Sequence, residues 1–239
     1  MKRPIILIAA LFLIFSCTQE EEEIYIIKSI QDSTPSNNSS QTESTYLALG
    51  DSYTIGQSVL AEDSFPFILV NDLNNTGNSF TAPKVIARTG WTTKNLKTAI
   101  FDENIQQNYD LVSLLIGVNN QYQGGSVAEF RTEYTELLEM AIMFANNNPS
   151  NVIVLSIPDW SISPFGQNSD QVIIGQEIDD YNAVKKEITL NKQVSFIEIT
   201  EITRQAEGNE AYFASDQLHF SGLMHQLWVD EILKYKFVN

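Results

Sequence analysis

From Thr45 onward the chain alternates short apolar runs with longer segments of helical period. The runs are Tyr46 to Leu49, Lys84 to Ala87, Leu111 to Ile116, Val152 to Ile157 and Val194 to Ile199. Each is brief, rich in Val, Ile and Leu, and apolar on both faces, as strands of a buried parallel sheet are. Helix signals lie between them. Ser126-Val-Ala-Glu129 has the spacing of a capping box, and Val127, Phe130, Tyr134, Leu137, Leu138, Ala141 and Ala145 then mark one face before Pro149 closes the segment. The last segment, Leu223 to Phe237, is expected to be a helix that buries Leu223, Leu227, Trp228 and Ile232 as one stripe. This alternation predicts an α/β protein, a three-layer α/β/α sandwich with helices on both faces of a five-strand parallel sheet. With no internal repeat and no loop long enough for a second domain, residues 45–239 are expected to form one domain.

The segment before Thr45 has another character. Lys2 and Arg3 precede the apolar run Pro4 to Phe15, which is too short to span a bilayer comfortably and has the length of a signal-peptide core. Residues 1–16 are therefore expected to be the signal peptide of an exported protein. Cys17, the only cysteine, follows the small residue Ser16 at the end of that run. The arrangement resembles the lipobox of bacterial lipoproteins, which implies cleavage before Cys17 and lipid attachment to its thiol. A chain so processed has no other thiol, so neither disulfides nor a cysteine nucleophile enter its chemistry. The four glutamates Glu20 to Glu23 and the polar stretch from Gln31 to Thr45 bury too little apolar surface to order themselves, and 17–44 is expected to be a flexible tether. The acidic run has two readings, a solvated spacer or the surface-export signal it resembles in lipoproteins of some Gram-negative bacteria. Either way the expected location is the cell envelope, at the outer membrane or cell surface.

A formal net charge of −16 without clustered Lys or Arg argues against nucleic acid as a partner. Attachment to a membrane must then come from the lipid and not from a basic surface. The chain has no His-Glu-x-x-His and no clustered His and Cys ligands, so neither a metal nor an organic cofactor is expected, and no obligate protein partner is implied.

Chemistry gathers at four places. Gly50-Asp51-Ser52 ends the first apolar run, and in a parallel sheet ligands bind outside the carboxyl ends of the strands. Alone, a serine there is as well explained as a helix cap. Asp216-Gln217-Leu218-His219 supplies what a hydroxyl nucleophile needs, an imidazole to take its proton and a carboxylate to fix the ring's tautomer. The only other histidine, His225, falls within the final helix and reads as structural or exposed. Two further segments, Arg88-Thr89-Gly90-Trp91 and Gly117-Val118-Asn119-Asn120, follow the second and third runs. Gly90 offers an unobstructed backbone N–H, and Asn119 a side-chain amide, to a developing oxyanion. Taken singly, each is also an ordinary turn former.

In this order and spacing the four blocks resemble the SGNH hydrolases, or GDSL-type lipases and esterases, over about residues 45 to 239. The resemblance implies a flavodoxin-like sheet of the SGNH hydrolase type. It also implies a triad of Ser52, His219 and Asp216, with Ser52 N–H, Gly90 N–H and the Asn119 amide as the oxyanion hole. Asn120 departs from the family, which usually carries Asp there and uses it to shape the loop. Ser156-Ile157-Pro158-Asp159 and His219-Phe220-Ser221-Gly222 are also similar to the family, although Pro commonly follows the His. The implied activity is hydrolysis of carboxylic esters. Short-chain esters, acetylated carbohydrates and lysophospholipids all remain open as substrates, as does transfer of the acyl group to a sugar hydroxyl. A surface lipoprotein that only binds glycan or lipid is the reading from another class, and the intact Ser, Gly, Asn, Asp and His weigh against it. Absence of a Gly-x-Ser-x-Gly elbow argues against the α/β-hydrolase form of the same chemistry. Tyr53, Trp91, Tyr122, Trp160 and Phe165 fall near the expected active edge, either as site lining or as loop anchors.

Overall fold

The computed structural model describes residues 43–105 and 108–236. The expected signal peptide, Cys17 and all of the expected tether except Glu43 and Ser44 lie outside the described residues, as does Phe237. In chain order the main elements are β1 (Tyr46–Gly50), α1 (Ser52–Ile55), α2 (Phe65–Asn75), β2 (Lys84–Ala87), α3 (Thr93–Asp102), β3 (Leu111–Leu115), α4 (Val118–Tyr122), α5 (Val127–Phe144), β4 (Val152–Leu155), α6 (Gln171–Asn191), β5 (Ser195–Ile197), α7 (Thr200–Arg204) and α8 (Gly222–Lys236).

The five strands form one all-parallel sheet in the order β2-β1-β3-β4-β5. The chain steps from β1 outward to β2, then returns past β1 to β3 and continues in that direction. Parallel connections are right-handed, so the reversal puts α2 on one face and α3, α5 and α6 on the other. Helix α8 joins the first layer by packing on α2, while α5 packs against both α3 and α6. The result is the expected α/β/α sandwich. Its switch point lies between β1 and β3, where the connections diverge and leave a crevice at the carboxyl ends.

Burial along the strands differs from the expectation at both edges. Every residue of β1, β3 and β4 is buried, but Lys84 of β2 is exposed and Ser195 and Phe196 of β5 are only half-buried. An edge strand has a neighbour on one side only, so apolar composition there does not require two covered faces.

Local sequence explains the helix starts. Ser126 Oγ accepts from the Glu129 N–H at 3.2 Å and caps α5, whose buried face includes Phe130, Tyr134, Leu137, Leu138 and Ala141. Glu129, however, returns its carboxylate to the Ser126 hydroxyl. The fully reciprocal capping box is at Thr92 and Asn95, opening α3. Helix α8 is present, and Trp228 and Ile232 of the expected stripe are buried, but the stripe as a whole is shifted. Leu223 is 60% exposed, whereas Met224, His225, Trp228, Val229 and Ile232 face the core. Burial on one side by α2 and on another by β5 widens and rotates the apolar face beyond what periodicity alone implies.

Candidate active site

β1 delivers Asp51 and Ser52 directly to the crevice. Gly50, the last residue of the strand, must be a glycine. A Cβ on it would stand 2.0 Å from Thr54 Oγ1 and 2.3 Å from the Leu115 carbonyl. That close approach lets the chain turn sharply into α1 beside β3. Asp51 caps α1, with Oδ1 accepting from the Tyr53 N–H at 3.0 Å. Ser52 therefore occupies the first helical position. Its own N–H is one of the unpaired donors of a helix start and has no partner among the described residues.

The other blocks come from β2, β3 and the loop before α8. The hairpin-like turn after β2 is closed by Trp91 N–H donating to the Arg88 carbonyl at 3.2 Å. Gly90 adopts φ +81° there, a backbone that favours glycine, and its N–H is likewise untaken among the described residues. Asn119, in the first turn of α4 after β3, donates from Nδ2 to the Trp91 carbonyl at 3.1 Å. That bond fixes the amide plane and leaves its second N–H for another acceptor. The unexpected Asn120 is buried and holds the same two loops together. Its Oδ1 accepts from Thr93 N–H at 3.0 Å and its Nδ2 donates to Thr93 Oγ1 at 2.7 Å. Thr93 in turn donates to Glu133 of α5. An amide supplies both a donor and an acceptor, so the loop is shaped without the usual carboxylate.

His219 and Asp216 meet as the three-residue spacing suggests, with Nδ1 2.7 Å from Asp216 Oδ2. Every acceptor position of that carboxylate is engaged. Oδ1 accepts from the Leu218 and His219 backbone N–H groups at 3.0 and 2.9 Å, and Oδ2 also accepts from the Ser58 hydroxyl at 2.6 Å. Partial burial opposes ionisation, but the Ser58 hydrogen bond and then the bonds from His219 and Leu218 outweigh it, so Asp216 stays well below the usual carboxylate range. Nδ1 being committed to Asp216, Nε2 is the ring nitrogen free to serve the cavity. Tyr53 supports the ring from the side at a centroid distance of 5.4 Å.

Ser52, Gly90, Asn119 and His219 line one cavity of about 240 Å³, together with Tyr53, Thr89, Val118, Tyr122, Trp160 and Leu218. The residues lining it carry a hydroxyl, an imidazole backed by a carboxylate, and backbone and side-chain N–H groups, the kinds of group that acyl transfer requires. His225 is elsewhere: it is buried, stacks on Trp228 at 4.7 Å and turns Nδ1 toward the Asp63 carbonyl. Burial pushes its imidazole down to about 4, so it is neutral at pH 7. Among the described residues no group of three or more His, Cys, Asp or Glu is placed to hold a metal ion, and no helix is long and apolar enough to cross a membrane.

Of the five aromatic residues noted near the active edge, Tyr53, Tyr122 and Trp160 line the cavity. Phe165 packs on Trp160 at 6.3 Å, and Trp91 is partly buried against the core. Trp160 is held by an extended relay in which its indole N–H donates to Gln121 Oε1 at 2.9 Å and Gln121 Nε2 donates to Glu177 at 2.7 Å. Ser58 and Gln121 were not legible as site residues. Ser58 lies 158 positions from its partner Asp216, and no local pattern marks either residue.

The profile of the GDSL-like Lipase/Acylhydrolase family matches residues 48–227 of the chain. No curated protein matches it. Several solved structures do. A lipase/acylhydrolase from Enterococcus faecalis is similar with a TM-score of 0.63 and 19% identity, over 80% of this chain and 94% of that one. An acetyl xylan esterase gives 0.63 and 16%, over 80% and 98%. An acetyl-xylooligosaccharide esterase from Geobacillus gives 0.61 and 20%, over 83% and 97%. At these identities the likenesses show a shared fold. The profile covers most of the chain and spans all four blocks and the start of α8, so this protein belongs to the GDSL-like lipase/acylhydrolase family and is an ester-hydrolysing serine hydrolase.

Proposed function

We propose that Ser52 is the nucleophile, His219 the general base and Asp216 the carboxylate that orients it, with Ser52 N–H, Gly90 N–H and Asn119 Nδ2 as oxyanion donors. The observation that carries this is the 2.7 Å contact of His219 with Asp216 at the rim of the cavity that also holds Ser52, Gly90 and Asn119. Ser52 Oγ attacks the ester carbonyl while His219 Nε2 takes its proton. The negative charge passes to the carbonyl oxygen, where the three donors receive it. Collapse of the intermediate expels the alcohol, which takes the proton back from His219, and water then releases the acyl group from Ser52 by the same route.

The substrate class we favour is short-acyl esters, acetylated carbohydrates foremost. Support comes from the modest cavity that Trp160, Tyr122 and Leu218 help to line, and from two acetyl-carbohydrate esterases among the proteins of like fold. Hydrolysis of p-nitrophenyl esters of increasing acyl length, with acetate release from acetylated xylan alongside, tests the proposal. Rates are expected to be highest for acetyl and to fall beyond butyryl. A maximum at octanoyl or longer would instead favour lipid substrates, and acetate transfer to a sugar without net hydrolysis would favour an acyltransferase. We propose further that Cys17 is lipidated and tethers the domain to the cell envelope through residues 17–44. Labelled fatty acid should enter the full-length protein and not its Cys17→Ser variant.

Two substitutions probe the site at intermediate strength. Asn119→Ala removes one oxyanion donor and is expected to lower kcat about a hundredfold to a thousandfold. The thermal midpoint should move little, because Asn120 carries the loop-to-loop bonds; a drop of under threefold in kcat would remove Asn119 from the oxyanion hole. Ser58→Ala removes one donor to Asp216 and is expected to cost about tenfold in kcat, the lower part of the range for a hydrogen bond to a charged group. Asp216 then rises toward its ordinary range, so the stability that its ionisation contributes should be lost at a higher pH on acidification than in wild type. A dependence of the thermal midpoint on pH superimposable on that of wild type, with kcat unchanged, would contradict a role for Ser58.

A further inference from the structure

Directly beneath the nucleophile turn are two buried ionisable groups that the mechanism above does not use. Asp51, between Gly50 and Ser52, is 1% exposed. Its Oδ1 caps α1, while its Oδ2 is buried with no hydrogen-bonding partner among the described residues. Lys185, from the middle of α6, is 0% exposed. Its ammonium donates to the Ile116 carbonyl at 3.0 Å and lies 5.7 Å from the centre of the Tyr134 ring. Burying a lysine without a counter-charge is costly, and one carbonyl and one ring face are weak compensation.

The sheet register brings the two groups together. β1 and β3 are neighbours whose last paired residues are Gly50 and Leu115, so Asp51 and Ile116 are the residues that leave the sheet side by side at the end of that ladder. The carbonyl that Lys185 grips is thus beside Asp51. Burial pushes the Asp51 carboxyl up and the Lys185 ammonium down, each toward neutrality, and each charge pulls the other back toward ionisation. Glu198, at the carboxyl end of β5 and bonded to Ser156, also favours the charged lysine. The nearby buried hydroxyls of Tyr46 and Tyr134 are satisfied by Ser113 and Thr189.

What the pair connects gives it consequence. Asp51 precedes Ser52 and caps the helix that presents it; Ile116 precedes Gly117 and the block that carries Asn119. We propose that Lys185 and Asp51 form a buried pair that acts as a positioning device, holding the Ser52 block and the Asn119 block in fixed register across the β1–β3 switch point. The proposal rests on the assignment of Ser52 and Asn119 made above. Neither Lys185 nor the Asp51 carboxylate touches substrate; both act through the turn that aims the nucleophile at the carbon whose oxygen Asn119 holds. A misplacement of about 1 Å between such groups costs up to about a hundredfold in rate.

The test uses the full-length protein with Lys185→Met, Asp51→Asn and the double variant, assayed for kcat, KM and thermal midpoint. A fluorophosphonate that labels the active serine is applied to each. Met keeps the aliphatic stem of Lys185, and Asn is as good a helix cap as Asp, so the α1 cap survives. Each single change leaves an uncompensated buried group and is expected to lower the midpoint by several degrees, whereas the double variant removes both and recovers most of that loss. Catalysis should not recover with it: kcat of the double variant is expected to stay about tenfold or more below wild type, with KM within about twofold. Should Lys185→Met not fold, Asp51→Asn and the double variant carry the same comparison. Midpoint losses that simply add would show that there is no pair, and a double variant with wild-type kcat would show that the pair does no positioning. Failure of the probe to label Ser52 in the wild type would overturn the functional assignment itself, a result distinct from both.

Discussion

Ser52→Ala is expected to lower kcat by about a millionfold, to a residual rate only about 10³–10⁴ above the reaction in water. The size of the effect follows from the mechanism proposed. Without a hydroxyl there is no acyl-enzyme, and the remaining donors can stabilise only direct attack by water. The fold should not suffer. α1 is held by Asp51 and not by the serine hydroxyl, and Ala is a better helix former than Ser. The variant is thus expected to melt within about a degree of wild type while losing both turnover and reaction with a fluorophosphonate. Turnover within tenfold of wild type, from protein free of host esterase, would show that another group attacks the ester.

Asp216→Asn is expected to cost about ten-thousandfold in kcat, for a reason visible in the hydrogen bonds. All four groups around the carboxylate present hydrogen: the Leu218 and His219 N–H groups to Oδ1, Ser58 O–H and the His219 ring to Oδ2. Asn offers one acceptor oxygen and two donors. With its NH₂ in the Oδ2 position, it forces His219 Nδ1 to accept, which puts the proton on Nε2 and leaves no base for Ser52. With the amide reversed, NH₂ opposes two backbone N–H groups and the loop is strained. Either outcome leaves substrate contacts largely in place, so KM should change far less than kcat. Stability carries a separate signature. Because Asp216 ionises at lower pH in the folded chain than in the unfolded one, it contributes stability that is fully present above the ordinary carboxylate range and lost as the pH falls through the folded value. The gap in thermal midpoint between wild type and Asp216→Asn should therefore be widest near neutrality and narrow below about pH 4. A gap independent of pH would contradict the hydrogen-bond account of Asp216.

The layers of this protein were legible because strands such as Val152 to Leu155 are apolar on both faces, which only a sheet covered on both sides satisfies. The site was legible where chemistry and backbone demand coincide locally: Gly50-Asp51-Ser52 at the end of the first strand, Gly90 at positive φ, and Asp216 and His219 three residues apart. Reading failed where the deciding neighbour is remote. Leu223 has the composition of a buried helix position, yet it is exposed, and of the two readings of His225, structural or exposed, only its stack on Trp228 selects the structural one. Hydrophobic period tells that a helix has an inner face, while the partners α2 and β5 decide where it lies.

By itself, then, the amino-acid sequence determined the alternation of strands and helices and the pairing of Asp216 with His219, because each depends on residues within a turn or a strand of one another. Only the tertiary structure decided the strand order that sets Ser52 beside Asn119, the hydroxyl of Ser58 on Asp216, the relay from Glu177 to Trp160 and the burial of Lys185 next to Asp51. Those contacts join positions dozens of residues apart in the chain. Hydrogen bonds and charges act over a few ångströms in space, and separation along the chain says nothing of that distance until the sheet has closed.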